Sequence, residues 1–239
     1  MTTPYAPRWG LWLAAVVVAA GYGIFLIVTA LRLPAGAELT GQFGLQPMVK
    51  AVPALLLALA AAGHAIVRER RWLVAALVFS AGGDFLLAVP HWPAGFIFGL
   101  GSFLVAHLCF LGALIPLARR TPQSTAGAAA LIVVCLGLLV SFWPKLIAQG
   151  MAVPVTLYMA VLVAMVCFAL FAKLPTSWTA LGAVCFAVSD GMIGIGKFVL
   201  GNEALAIPIW WAYGASLVLI TAGFFAKRSV SVPTATPVR

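Results

Sequence analysis

The chain of 239 residues is 64% hydrophobic and 8% charged, with a mean hydropathy of +1.13, too few charges to cover a water-soluble domain of this size. It reads as an all-α polytopic membrane domain with room for an interior between helices. The formal charge of +9 does not point to nucleic acid, because the basic residues form no long run and no separate basic domain. They sit mostly at the ends of apolar stretches, as topology signals beside anionic lipid do.

A membrane helix needs about 20 mainly apolar residues. Eight stretches qualify, over 9–32, 47–67, 72–89, 94–118, 126–143, 152–172, 177–199 and 207–226. The first is too long for a secretory h-region and is read as a span, not a cleaved signal. The short connections carry the breakers: Pro34 with Gly36, Pro90 with Pro93, Thr121-Pro122, Pro144, Pro175, and Gly201 with Pro208. Pro53 and Pro154 are expected kinks, tolerated where neighbouring helices re-satisfy the freed carbonyl.

Arg8, Arg68, Arg70, Arg71, Arg119, Arg120, Lys173, Lys227 and Arg228 all fall on one side. The opposite side has Arg32 and Lys145, with Lys50 just inside a span. The positive-inside rule then puts both termini in the cytoplasm and requires an even number of spans. The expected organisation is one eight-helix membrane domain over 1–229 and a flexible cytoplasmic tail over 230–239. It would be an integral multi-pass protein, in the plasma membrane if the source is bacterial. All eight tryptophans fall at or near span ends, as an interfacial belt does. Spans three and seven lie four apart and each carries Phe, then Ser, then Asp in its outer half, the pattern of a parallel four-plus-four repeat. Cys109, Cys135, Cys167 and Cys185 lie inside apolar runs without CxxC spacing and read as small packing residues.

Charge within a span costs roughly 2.5–3.5 kcal/mol on insertion scales, so ionisable groups there face the bundle interior and mark function. Five residues qualify: Lys50, Asp84, His107, Asp190 and Lys197. Asp84 and Asp190 sit past the midplane at matching depth, His107 near the middle of its span, and the lysines closer to the outer end. All five fit one cavity opening outward. Asp190, Gly194 and Lys197 share a helical stripe, with Gly194 expected to leave a gap between the charges. Ser80, one turn before Asp84, is expected to bond its carboxylate. Set against this is a plainer reading, with the aspartates as partners of Lys50 and Lys197 in interhelical ties and both lysines as snorkelling residues. His64 and His91 read as ordinary interfacial residues. Facing histidines for a bis-histidine haem are absent, the carboxylates and His107 lack metal-ligand spacing, and Lys197 lies too near a helix end for a retinal site.

The motifs Lys50-Ala51-Val52-Pro53, Phe79-Ser80-Ala81-Gly82-Gly83-Asp84-Phe85-Leu86-Leu87, Phe98-Gly99-Leu100-Gly101-Ser102-Phe103 through His107, and Phe186 to Phe198 resemble the lysoplasmalogenase, or YhhN-like, family. Their order and spacing cover most of the chain. The resemblance implies an eight-span fold and hydrolysis of the vinyl ether bond of a lysophospholipid, releasing a fatty aldehyde and glycerophosphoethanolamine or glycerophosphocholine. No cofactor or metal is expected; the partners are the lysophospholipid substrate and membrane lipids. Asp84 and Asp190 then become the catalytic pair, with His107 relaying a proton or orienting a carboxylate. Asp190, on the stripe of Lys197, is the better group to hold the water, and Asp84 the better acid. Lys50 and Lys197 would meet the lipid phosphate, with Ser80 and Ser189 beside the substrate. A proton-coupled transporter or lipid flippase using the same carboxylates is the rival reading, and a non-catalytic lipid-binding protein a third.

Overall fold

A computed structural model of the protein describes residues 2–4, 8–34 and 37–231. Eight helices follow one another: α1 (Trp9–Arg32), α2 (Gln46–Ala61), α3 (Val67–Ala88), α4 (Gly95–Leu114), α5 (Pro122–Ala148), α6 (Ala152–Phe171), α7 (Trp178–Ile195) and α8 (Ala206–Phe225). A 3-10 turn over Ile115–Leu117 extends α4, and a π turn over Gly196–Leu200 extends α7. Among the described residues, seven helices are long and apolar enough to cross a membrane, and α2 is a shorter apolar helix of 16 residues. Two short strands, β1 (Thr2–Pro4) and β2 (Ser229–Ser231), pair antiparallel. That ladder joins the segment before α1 to the segment after α8 at one end of the bundle. It also takes up the first residues of the expected tail; residues 232–239, like Gly36, lie outside the described residues.

Seven helices close a ring in the order α1, α2, α3, α4, α6, α7, α8 and back to α1, while α5 packs outside it against α6 and the last turns of α7. The tightest pairs, α3 with α4 and α7 with α8, depend on residues without side chains. A Cβ on Gly83 would stand 2.5 Å from the Phe103 ring, and one on Gly182 2.7 Å from the Ile220 backbone nitrogen. Such close backbone approach is how helices gain packing energy in lipid, where water no longer drives burial. The four cysteines are free.

The structure corrects several boundaries. The connection expected between 67 and 72 lies earlier, because α2 stops at Ala61 and α3 already starts at Val67. Arg68, Arg70 and Arg71 are therefore in the first turns of α3. Thr121-Pro122 is a helix start: Thr121 caps α5 through a capping box with Ser124, and Pro122 takes the first position, which needs no amide hydrogen. Pro144 lies inside α5, whose last turn is anchored by buried Phe142 and Leu146 packing with Val155 and Phe198. Trp210 leaves the interfacial belt: it is buried, and its indole N–H donates to the Ala19 carbonyl at 2.8 Å.

His64 is also an interior residue, 1% exposed. Its Nδ1 accepts from the Ile66 amide at 3.1 Å, so the neutral ring carries its hydrogen on Nε2, which faces the Phe224 carbonyl at 3.2 Å and Glu69 at 3.4 Å. Burial holds the imidazole below its ordinary pKa, against the pull of Glu69. Glu69, 2% exposed, accepts both guanidinium nitrogens of Arg228. This cluster ties the start of α3 to the end of α8 at the end of the bundle that holds the chain termini.

Candidate active site

The far half of the ring is built differently. Asp84 lies one turn before the end of α3, and its carboxylate is 2% exposed. Its Oδ2 accepts the hydroxyl of Tyr213, from α8, at 2.6 Å. Asp190, on α7, is 11% exposed, and its Oδ2 accepts the hydroxyl of Tyr158, from α6, at 2.5 Å. Behind Tyr158 stands His107 of α4, fully buried, with Nε2 at 3.0 Å from the tyrosine oxygen and 3.7 Å from Asp190 Oδ2. The longer distance is beyond a hydrogen bond, so the tyrosine hydroxyl connects the two.

That chain determines where the hydrogens sit. Tyr158 has one hydroxyl hydrogen and gives it to Asp190, so His107 must donate from Nε2 to the tyrosine oxygen. Nδ1 is left as a buried acceptor with no partner among the described residues. Both hydrogens of the chain point toward Asp190, so the chain stabilises negative charge on that carboxylate.

Both carboxylates open on one cavity of about 470 Å³, whose walls include Lys50, Tyr22, Lys197 and Trp210. Below them, aromatic rings seal the floor. Phe103 and Phe186 each meet Tyr213 edge to face, at 5.7 Å and 5.4 Å between centroids, and His107 packs on Phe186 at 4.7 Å. Asp190 also borders an apolar cleft between α4, α5, α6 and α7, lined by Leu100, Leu138, Phe142, Val155 and Phe198. A polar vestibule and a greasy cleft thus meet at one carboxylate.

Lys197 reaches the vestibule from the π turn, a local widening common at functional sites, which ends at Gly201 with φ of 69°. Its ammonium stands 4.2 Å from the centroid of Phe96, a fixed place for an unpaired cation. Over the mouth, Glu203 Oε2 accepts the backbone amides of Leu39 and Thr40 at 2.7 Å and 3.0 Å. This strap joins the α1–α2 connection to the α7–α8 connection.

The structure therefore brings Lys50, Asp84, Asp190 and Lys197 to one cavity, with His107 behind it, and parts company with several expectations. No lysine or arginine among the described residues lies within ion-pair distance of either aspartate. The interhelical ties are not formed. Ser80 does not bond Asp84: its buried hydroxyl has no partner among the described residues, and Tyr213 takes the place expected for it. Ser189 donates to the Phe186 carbonyl at 2.8 Å inside its own helix, and neither serine is in the walls of the vestibule or the apolar cleft. Gly194 leaves no gap between charges; it admits the ring of Phe142, which a Cβ would approach at 2.6 Å.

The tyrosines are what sequence reasoning missed. The chain has only four, and Tyr158 and Tyr213 lie within spans, several residues inside the ends where belt tyrosines sit. A buried phenol needs a partner for its hydroxyl, which was the available signal.

No three His, Cys, Asp or Glu side chains gather as metal ligands would among the described residues. Comparison with known proteins gives a consistent answer. Two relatives named lysoplasmalogenase, from Mycobacterium bovis and Mycobacterium tuberculosis, are each 59% identical over 239 residues, 98% of this chain and 92% of theirs. Lysoplasmalogenase TMEM86B of Mus musculus is 36% identical over 153 residues, 62% of each chain. No solved structure matches. Residues 45–224 match the YhhN family, and with all seven helices of the ring contributing a wall or a carboxylate partner to one cavity, the chain belongs to that family.

Proposed function

We propose that this chain is an intramembrane hydrolase that cleaves the vinyl ether bond of lysoplasmalogens, the activity in its relatives' names. The observation that carries the reading is the meeting of Asp84 and Asp190 in one cavity, with no ion-pair partner among the described residues and each held by a tyrosine, where a polar vestibule joins an apolar cleft. An amphiphile with its reactive bond between head and chain fits that junction. The transporter reading draws no support from the relatives.

Protonation of the outer alkene carbon, the one remote from oxygen, turns a vinyl ether into an oxocarbenium ion. Water then adds to the carbon that bears the oxygen. Asp84, the more sealed carboxyl, holds the proton that goes to carbon; a lone buried charge there would be costly. Asp190, more open and backed by the Tyr158–His107 chain, holds negative charge and orients the water. As the water attacks, Asp190 takes its proton on Oδ1, the oxygen that Tyr158 leaves free. The hemiacetal collapses when Asp190 returns that proton to the glyceryl oxygen while Asp84 receives the proton of the hemiacetal hydroxyl. Aldehyde and glycerophospho-base leave, and both carboxyls are restored. The ionised Asp190 also stabilises the passing cation, in a site whose aromatic floor excludes bulk water.

Lys50 and Lys197 are placed to meet the phosphate at the vestibule, and the alkenyl chain to lie in the cleft toward α5. Both termini face the cytoplasm by the distribution of basic residues, so the vestibule opens on the outer leaflet side. The test is direct. Purified protein releases fatty aldehyde from lysoplasmalogen, and Asp84→Asn and Asp190→Asn each abolish release while melting as wild type does. Full activity in either variant overturns the mechanism.

A further inference from the structure

The vestibule holds more charge than a phosphate needs. Lys50 and Lys197 are its cations and Asp84 and Asp190 its reactive floor, yet Glu38 and Glu203 also line it, nearer the mouth. The two glutamates are not alike. Glu203 is committed, because its Oε2 receives the amides of Leu39 and Thr40. By that bond it holds the segment carrying Glu38 across the mouth. The same segment is braced from within the bundle. The Gln46 side chain donates to the Leu39 carbonyl at 2.8 Å and to Tyr22 Oη at 3.0 Å, and accepts the Gln42 amide at 2.8 Å. The Gln42 side chain in turn donates to the Glu38 backbone carbonyl at 2.7 Å. The backbone at Glu38 is thus fixed on both sides. Its own carboxylate has no hydrogen bond or ion pair among the described residues. A braced strap has placed a free carboxylate in the wall of a cavity that already contains two lysines.

Order along the cavity decides what it meets. Asp190 on α7 and Lys197 on the π turn that extends it are seven residues apart, about 10 Å along a helix, so a lysine reaching back covers the span between the reactive bond and a phosphate. In a lysoplasmalogen the phosphorus lies a few bonds beyond the vinyl ether, and the amine of the headgroup a few bonds beyond the phosphorus. Carboxylate, cation and mouth carboxylate match vinyl ether, phosphate and amine in that order. Resting on the hydrolase reading, we infer that Glu38 forms an amine subsite, so that the enzyme prefers lysoplasmalogens whose headgroup is a zwitterion over those ending in a bare or uncharged-headgroup phosphate.

The experiment compares two substrates with the same alkenyl chain, one with a phosphoethanolamine headgroup and one ending in the phosphate alone. The kcat/KM ratio between them is the readout. Wild-type protein favours the ethanolamine substrate. Glu38→Gln lowers the ratio by roughly two- to fivefold, the range of an exposed ion pair. Glu38→Lys lowers it further, turning the preference toward the bare phosphate. An unchanged ratio in both variants overturns the subsite, and so does an equal fall on both substrates, which is the mark of a structural role. Affinities of both lipids for Asp84→Asn protein, with and without Glu38→Gln, are measured alongside. If wild-type protein releases aldehyde from neither lipid, the hydrolase reading falls, and the affinity ratio still judges the subsite.

Discussion

Glu69 and Asp84 lie on the same helix, and each is 2% exposed. Glu69, at the end of the bundle that holds the termini, is closed on by Arg228 through two nitrogens and by His64. Asp84, near the other end, has a single tyrosine hydroxyl and a cavity in front of it. One carboxylate is buried because its charge has been matched; the other is buried with its reactivity left open. Burial of an acid inside a membrane protein therefore does not by itself mark a catalytic site. What sets Asp84 apart is adjoining space and no ion-pair partner among the described residues, and the proposed reaction rests on that difference.

The largest effects should come from the carboxylates themselves. Asp84→Asn and Asp190→Asn are expected to cut aldehyde release by at least about 10³-fold, within the range of positioned acid–base catalysis plus charge stabilisation. Glu69→Gln should leave the rate near wild type. A loss of activity in Glu69→Gln matching that of Asp84→Asn, in protein that is still folded, would erase the distinction between the two ends. Next in size are the tyrosines. Tyr158→Phe and Tyr213→Phe each remove one hydrogen bond to a buried carboxyl, worth about 1.5–3 kcal/mol, so kcat should fall roughly 10- to 100-fold with little change in KM. His107→Gln should resemble Tyr158→Phe, and the double variant should add little, because both interrupt one chain.

Glu69→Gln itself should show its cost in thermal melting, at about 2 kcal/mol, since Arg228 is part-exposed and recovers some hydration. Lys197→Met should raise KM severalfold and leave kcat nearly alone, the signature of uniform binding lost. The smallest effect concerns His64. Its folded pKa lies below the unfolded value, so the unfolded chain binds more protons as pH falls. Its contribution is present above about pH 6.5 and drains away below it. Melting curves in detergent from pH 7.5 to 5 should slope downward on acidification, and His64→Gln should flatten that slope.

Much of the far-end site was legible because the chain has so few charges. With five acidic residues in all, Asp84 and Asp190 stood out against apolar surroundings, and alternation of span direction put them at one depth. Lys50 and Lys197 followed by the same reasoning. Glu69 escaped notice for the opposite reason: it sits among Arg68, Arg70 and Arg71, where a charge looks solvated, and only packing shows its carboxylate enclosed. His64 was misread likewise, because distance from a span end says nothing of which face a loop presents. Tyr158 and Tyr213 could be seen as intramembrane phenols, but not assigned: Tyr158 reaches Asp190 from the next helix and Tyr213 reaches Asp84 across the ring, and packing alone sets the rotation of each helix.

Sequence by itself determined the class, the number of helices and the set of expensive charges, because insertion into lipid taxes each residue one at a time and leaves that record in composition. Tertiary structure decided the rest. It showed α5 outside the ring, the aspartates free of the lysines, Tyr213 in the place expected for Ser80, and Glu203 holding a strap across the mouth. Those are relations between helices far apart in the chain. In lipid such relations are chosen by close packing and hydrogen bonding between surfaces, which a one-dimensional pattern of apolar residues does not encode.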